Sequence, residues 1–313
     1  MPIICNAKIA GVQFLEMIHQ QPLHGYIHSV FDRVVNIEVL KDSLSDTLFS
    51  FGREDVSLAP AMLVTDIGQN VPLGRFGLKQ GDWVQLYSGY ISTSKLSINT
   101  SSVQVWKPVS AAEIQQNDLC SYNELLARIN SMIKALSTNN QGASLPYAVF
   151  NDAATEVSND DKSTNRELII RVTELLQHAL NGTYSNEVID ALLGFGLGLT
   201  PSGDDIIAGY LHGLSFIERF TCNEVAWKED MVTKLEQKLS RTNRISRHFL
   251  RYAIKGLWSK DIEQFLLDVT SKGIICSLNS AKRLTSFGAS SGFDILTGIC
   301  IGLLAGYSSL MKE

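Results

Sequence analysis

One pattern, found twice in this chain, constrains its fold more than any other feature. Ser202-Gly203-Asp204-Asp205-Ile206 is followed by Gly209 and Gly213-Leu214; 89 residues later, Ser291-Gly292-Phe293-Asp294-Ile295 is followed by Gly298 and Gly302-Leu303. The shared form, S-G-x-D-I-x-x-G-x-x-x-G-L, points to a structural repeat. Both stretches are apolar nearly all round, which predicts two buried helices. Glycine at i and i+4 lets helix backbones approach closely. Ser with an acid three residues on also fits a capping box in both copies. Asp204 has no acidic counterpart, because Phe293 stands in its place. Adjacent helical residues point about 100° apart, so two neighbouring acids cannot both serve one cap. Asp205 is therefore expected to be structural and Asp204 chemical. If the repeat is a pseudo-twofold pair, converging N-termini would instead set Asp205 beside Asp294.

The first copy opens on GFGLGLTPSGDD, residues 194–205. Gly194, Gly196 and Gly198 permit positive φ and close approach of backbone to a ligand. A helix N-terminus then offers N–H groups and a positive dipole end to an anion. Two adjacent acids would repel that same anion.

A second candidate feature is basic. Arg244, His248, Arg251 and Lys255 recur on one face of a helix. They form either a solvated cationic face or a guanidinium pair for a dianionic substrate, since Arg matches carboxylate and phosphate geometry. His24 and His28 are four apart but flank Gly25 in a non-helical region, a poor metal pair. GFGLG lacks the βαβ setting of a dinucleotide fingerprint, the P-loop lysine is absent, and no nucleophile elbow occurs.

The rest of the chain predicts an α+β architecture. Residues 1–115 read as an antiparallel β-rich, barrel-like domain, with VVNIEVL, LFSFG, AMLVTDI, DWVQLYSGYI and SVQVWK as short strands. A short helix is expected at 8–19. Residues 116–313 read as a mainly α-helical domain carrying the repeat. In it, Ser121 with Glu124 caps one helix, Thr164 with Glu167 starts another, and Asn181-Gly182 closes it. Between these helices, 137–163 reads as a long loop around a strand or turn near 147–150.

A net charge of -5 argues against nucleic acid or anionic membrane as partners. Five scattered cysteines argue against a disulfide framework or structural zinc. The N-terminus lacks a signal-peptide pattern, and the apolar run 295–307 reads as too short to span a bilayer, so the expected setting is cytoplasmic.

Three blocks, GLGLTPSGDD, TNRISRHFLRYAIKG and FGASSGFDILTGICIGL, together resemble the AllH-type subunit family of oxamate carbamoyltransferase. The β-rich half resembles it only loosely. Leu197 stands where the family commonly has Pro, and Ala289 where it commonly has His. The resemblance implies phosphorolysis of oxalurate to oxamate and carbamoyl phosphate, in anaerobic allantoin and purine catabolism. It implies several different subunits, so the partners expected are other subunits of that complex and a small anionic substrate, with a homo-oligomer as a further expectation. On the matching positions, the site would comprise Gly196, Gly198, Thr200, Ser202, Gly203, Asp204 and Asp205 from the first block. The second would add Thr242, Ser246 and Arg251, with Arg244 beside them, and the third Ser291, Gly292 and Asp294. Asp204, Asp205, Arg244 and Arg251 are the candidates for catalysis. Such a site must gather two anions and stabilise an oxyanion, which backbone N–H groups at 196–203 and an arginine could do. Asp204 would orient ureido N–H groups or hold Mg²⁺, the one cofactor considered. The alternatives are a non-catalytic assembly or regulatory subunit, and a small-anion or nucleotide-binding protein with another substrate.

Overall fold

The computed structural model describes residues 2–20, 22–40, 48–110, 119–138, 144–151, 163–286, 288 and 290–310. The chain forms two compact units, Met1–Pro108 with Trp258–Lys260, and Val109–Leu257 with Asp261–Glu313. The boundary expected at 115/116 lies outside the described residues.

The first unit is a β-barrel. Its strands are β1 (Ile3–Gly11), β2 (Leu23–Val30), β3 (Val34–Val39), β4 (Leu48–Gly52), β5 (Met62–Thr65), β6 (Trp83–Tyr87), β7 (Tyr90–Ser92), β8 (Leu96–Asn99) and β9 (Gln104–Trp106), with helix α1 (Val12–Gln20) after β1. They pair in the order β5-β4-β3-β2-β6-β7-β8-β1, and β1 returns to β5, closing eight strands into a ring. Closure gives each of these eight strands a neighbour on both sides. β9 adds to the far end of β1. Along β3 burial alternates residue by residue, placing Val35, Ile37 and Val39 in the interior.

The ring is mixed rather than antiparallel throughout, since β1 runs parallel to β8 and β9, and β4 to β5. Residues 53–61 make the crossover that lets β5 lie beside β4 in the same direction. The helix expected at 8–19 begins only at Val12, because Ile9, Ala10 and Gly11 are held in ladders with β5 and β9. His24 lies on β2, stacked on Trp83 at 5.4 Å.

The second unit is helical, with α2 (Tyr122–Ser137), α3 (Ser144–Phe150), α4 (Ser163–Leu180), α5 (Asn186–Leu192), α6 (Ser202–Thr221), α7 (Lys228–Lys238), α8 (Arg244–Ile254), α9 (Lys260–Leu267), α10 (Ile274–Leu284) and α11 (Ser291–Leu310). The Ser121 hydroxyl caps α2 by accepting from Glu124 N–H at 3.4 Å. α4 ends at Leu180, where Gly182 turns back with its N–H donating to Ala179 O at 3.0 Å. Residues 147–150 are helical rather than strand: Pro146 falls in the first turn of α3, where its missing N–H costs nothing.

α6 and α11 form the centre. Ile206, Ile207, Tyr210, Leu211 and Leu214 on one, and Leu296, Ile299, Ile301, Leu303 and Leu304 on the other, are fully buried. The apolar run expected to be too short is part of a 20-residue helix, long and apolar enough by composition to cross a membrane. Most of it is covered by the rest of the unit. All five cysteines are free.

Candidate functional site

The site is built by the way α6 and α11 meet. A Cβ on Gly213 would stand 2.5 Å from Leu303 N, and on Gly298 or Gly302 it would overlap the carbonyl oxygens of Ile206 and Tyr210. Only glycine allows backbones this close. The paired positions rise together along both helices, so α6 and α11 run parallel with their N-termini side by side. Two positive dipole ends therefore converge at one place.

Each N-terminus is also seated on the helix before it. A Cβ on Gly292 would stand 2.5 Å from Leu284 O at the end of α10, and one on Gly203 would overlap Leu192 O at the end of α5. Gly203 and Gly292 thus serve close packing. Nine residues (193–201) join α5 to α6, against six (285–290) between α10 and α11. The longer connection is the glycine loop. Gly194, Gly196 and Gly198 have φ of 76°, 116° and 103°, a region that side chains disfavour. Phe195 N–H donates to Leu192 O, and Gly203 N–H to Phe195 O, both at 2.8 Å. The Arg171 guanidinium lies over the Phe195 ring at 4.2 Å. Beyond that anchor, Leu197 is 92% exposed.

The two acids have surroundings other than those the capping pattern predicts. Asp204 is buried and has both oxygens occupied. Oδ1 accepts from Gly194 N–H at 2.7 Å, and Oδ2 accepts from the Thr242 hydroxyl. The Ser246 hydroxyl faces it too, without the geometry of a full hydrogen bond. Burial raises the Asp204 pKa, and its bonds to Thr242 and Gly194 oppose that. Asp204 is thus a clasp tying the loop to the segment before α8.

Nor is Ser202 the cap of α6. Pro201 holds that position without a side-chain bond, and its carbonyl accepts from Asp204 N–H at 2.9 Å and Asp205 N–H at 3.2 Å. Ser202 is already inside the helix, so its hydroxyl is free to reach sideways. In α11, Phe293 and Asp294 N–H likewise donate to Ser290 O, at 2.8 and 3.0 Å. The two remaining acids then exchange serines. Asp205 of α6 meets the hydroxyls of Ser291 and Thr200, while Asp294 of α11 meets those of Ser202 and Ser290. Thr200 and Ser291 are bonded to each other at 2.9 Å. Asp205 and Asp294 are 5% and 3% exposed, and each keeps an Oδ2 with no hydrogen-bond partner.

The electrostatics follow from that burial. Desolvation pushes the Asp205 carboxyl up to about 8; the charge of Asp294 adds to this, and the hydroxyls oppose it. Desolvation pushes Asp294 up to about 6 against its bonds to Ser202 and Ser290. Burial therefore favours the protonated form of both carboxyls, that of Asp205 more strongly than that of Asp294. The hydroxyls form a layer above the acids: Thr200, Ser202 and Ser291 are half-buried and Ser290 is exposed.

α8 borders the site at Thr242 and Ser246. Asn243 caps it, accepting from Ile245 N–H at 3.0 Å and Ser246 N–H at 3.1 Å. Arg244 and Arg251 are half-buried on this helix. The basic stripe is not a plain solvated face, because His248 is buried with its ring 4.4 Å from Tyr252. Burial and Lys255 lower the His248 pKa to about 3, leaving it neutral. Among the described residues, no three His, Cys, Asp or Glu side chains gather as metal ligands. The free oxygens that a hard cation could use belong to Asp205 and Asp294 rather than Asp204. Ser290 was missed in the sequence; the serine doublet before Gly292 was its only signal.

Residues 192–303 match the family model of oxamate carbamoyltransferase subunit AllH, and residues 6–105 match that of the AllH family N-terminal domain. The chain belongs to the AllH family. The barrel half, which resembles the family only loosely in its motifs, thus has a family model of its own that it matches. No solved structure matches the chain. Both copies of the repeat fall inside the first match. Of the two departures from the AllH pattern, Leu197 sits on the exposed part of the glycine loop, and Ala289 lies outside the described residues.

Proposed function

We propose that this chain is a subunit of a cytoplasmic carbamoyltransferase that phosphorolyses oxalurate to oxamate and carbamoyl phosphate in allantoin and purine breakdown, acting with other subunits. The observation that carries the reading is the pair of parallel N-termini topped by four hydroxyls. The reaction brings together phosphate and the carboxylate of oxalurate, and two adjacent positive helix ends suit two adjacent anions. The acids do not spoil such a site. Asp204 is engaged by Gly194 and Thr242, and burial favours the uncharged forms of Asp205 and Asp294. N–H groups of the loop and first turns, with the hydroxyls, are suited to the developing oxyanion. A non-catalytic assembly role is the second reading, favoured by the glycines that pack α6 on α11.

The test is reconstitution of the family complex with and without this chain. Phosphate-dependent loss of oxalurate should require it, and Ser291→Ala with Thr200→Val should raise KM for an anionic substrate. Full turnover by a complex lacking the chain would leave only the assembly reading.

A further inference from the structure

We propose that Asp205 and Asp294 act as one proton-sharing pair that relays a proton between the two substrates through the Thr200, Ser202, Ser290 and Ser291 hydroxyls. This rests on the carbamoyl-transfer reading and names the proton path within the same site. Three observations support it. Both acids are at least nine-tenths buried, and each has an Oδ2 without a partner. Each reaches the hydroxyl layer through the first serine of the opposite copy, Asp205 through Ser291 and Asp294 through Ser202, so neither is a private support of its own helix. The acids are close enough that the charge of one acts on the other, and two such carboxylates out of water do not both ionise readily. Asp204, also on α6, adds its charge to that of Asp294 at Asp205; Thr242, just before α8, and Ser246 on α8 face Asp204.

The step balances. Hydrogen phosphate attacks the ureido carbonyl carbon, forming the C–O bond of carbamoyl phosphate and breaking the C–N bond to oxamate. The phosphate proton passes through Ser202 or Ser290 to ionised Asp294. Asp205 releases its proton through Ser291 or Thr200 to the departing oxamate nitrogen. Transfer of one proton from Asp294 back to Asp205 restores the pair, so no outside acid or base is consumed. Asp205 and Asp294 act through the hydroxyls, which makes them positioning and relay residues.

Two measurements decide it. First, the intact chain carrying ¹³Cγ-aspartate is titrated by NMR. A carboxyl still protonated at pH 7, titrating above neutrality and absent from Asp205→Asn, is expected; carboxyl signals all ionised by about pH 5.5 overturn the pair, even if the variants fail to fold. Second, in the reconstituted complex, Asp205→Asn and Asp294→Asn should each lower kcat by about 10²–10⁴-fold, the range of general acid–base catalysis. They should also remove a limb of the pH profile while leaving KM for phosphate nearly unchanged. A wild-type pH profile in either variant overturns the relay. If the wild-type complex leaves oxalurate intact, the carbamoyl-transfer reading and the relay fall together, while the titration still decides whether the pair shares a proton.

Discussion

Replacing Gly213 by alanine tests the central claim that α6 and α11 pack backbone to backbone. On an exposed helix this change stabilises by about 1 kcal/mol, because glycine has the greater backbone entropy to lose. Here the new Cβ would stand 2.5 Å from Leu303 N, 2.6 Å from Ile299 O and 2.8 Å from the Gly302 carbonyl carbon. All three are backbone atoms of α11, so no side chain can swing away. Reaching an ordinary 3.4 Å contact requires the helices to part by 0.9 Å (3.4 − 2.5). A gap of that size forfeits roughly a quarter to a half of each dispersion contact along the seam. Overpacking a tight core costs about 1–3 kcal/mol before this loss is counted. A net destabilisation of about 3 kcal/mol is expected, lowering Tm by roughly 6–12 °C for a unit of this size. Gly74→Ala is the control: a Cβ there would meet nothing within 4 Å. It should cost less than about 1 kcal/mol. Chemical unfolding followed by helical circular dichroism measures both. A Gly213→Ala protein as stable as wild type, or no gap between the two variants, would refute the packing argument.

Two further outcomes concern the acids. Asp204→Ala leaves the Gly194 N–H without its acceptor and should cost about 1–3 kcal/mol. Amides at 194–200 should exchange faster than those of α6, and equal protection in both proteins would remove the clasp. The second outcome is a stability that falls with pH. Asp205 and Asp294 have folded pKa values above the ordinary ~4, so the folded chain holds protons that the unfolded chain releases. Their contribution is full below about pH 4 and is lost as pH rises through about 6 and about 8. Denaturation midpoints should therefore decline from pH 5 to pH 9, and Asp205→Asn should flatten the decline. An unchanged slope in that variant counts against the burial argument.

The sequence by itself determined most of the elements and the order of a β-rich half before a helical half, though not α3, whose residues 147–150 read as strand or turn. Alternating apolar residues along β3, the Ser121 cap and the paired glycines of α6 and α11 each act over a few residues, so local spacing is enough to read them. It also marked the two segments that form the site. What it could not determine was direction and partnership. Whether β1 lies parallel to β8, and which hydroxyl answers which acid, depends on residues nearly a hundred positions apart. Spacing alone made Asp205 a cap and left Asp204 for chemistry. The tertiary fold placed Pro201 at the cap and tied Asp204 to Gly194 and Thr242. It also brought Asp205 into the reach of Asp294. The physical reason is that a carboxyl's role is set by what surrounds it once water is excluded, and burial arises only when α6 meets α11.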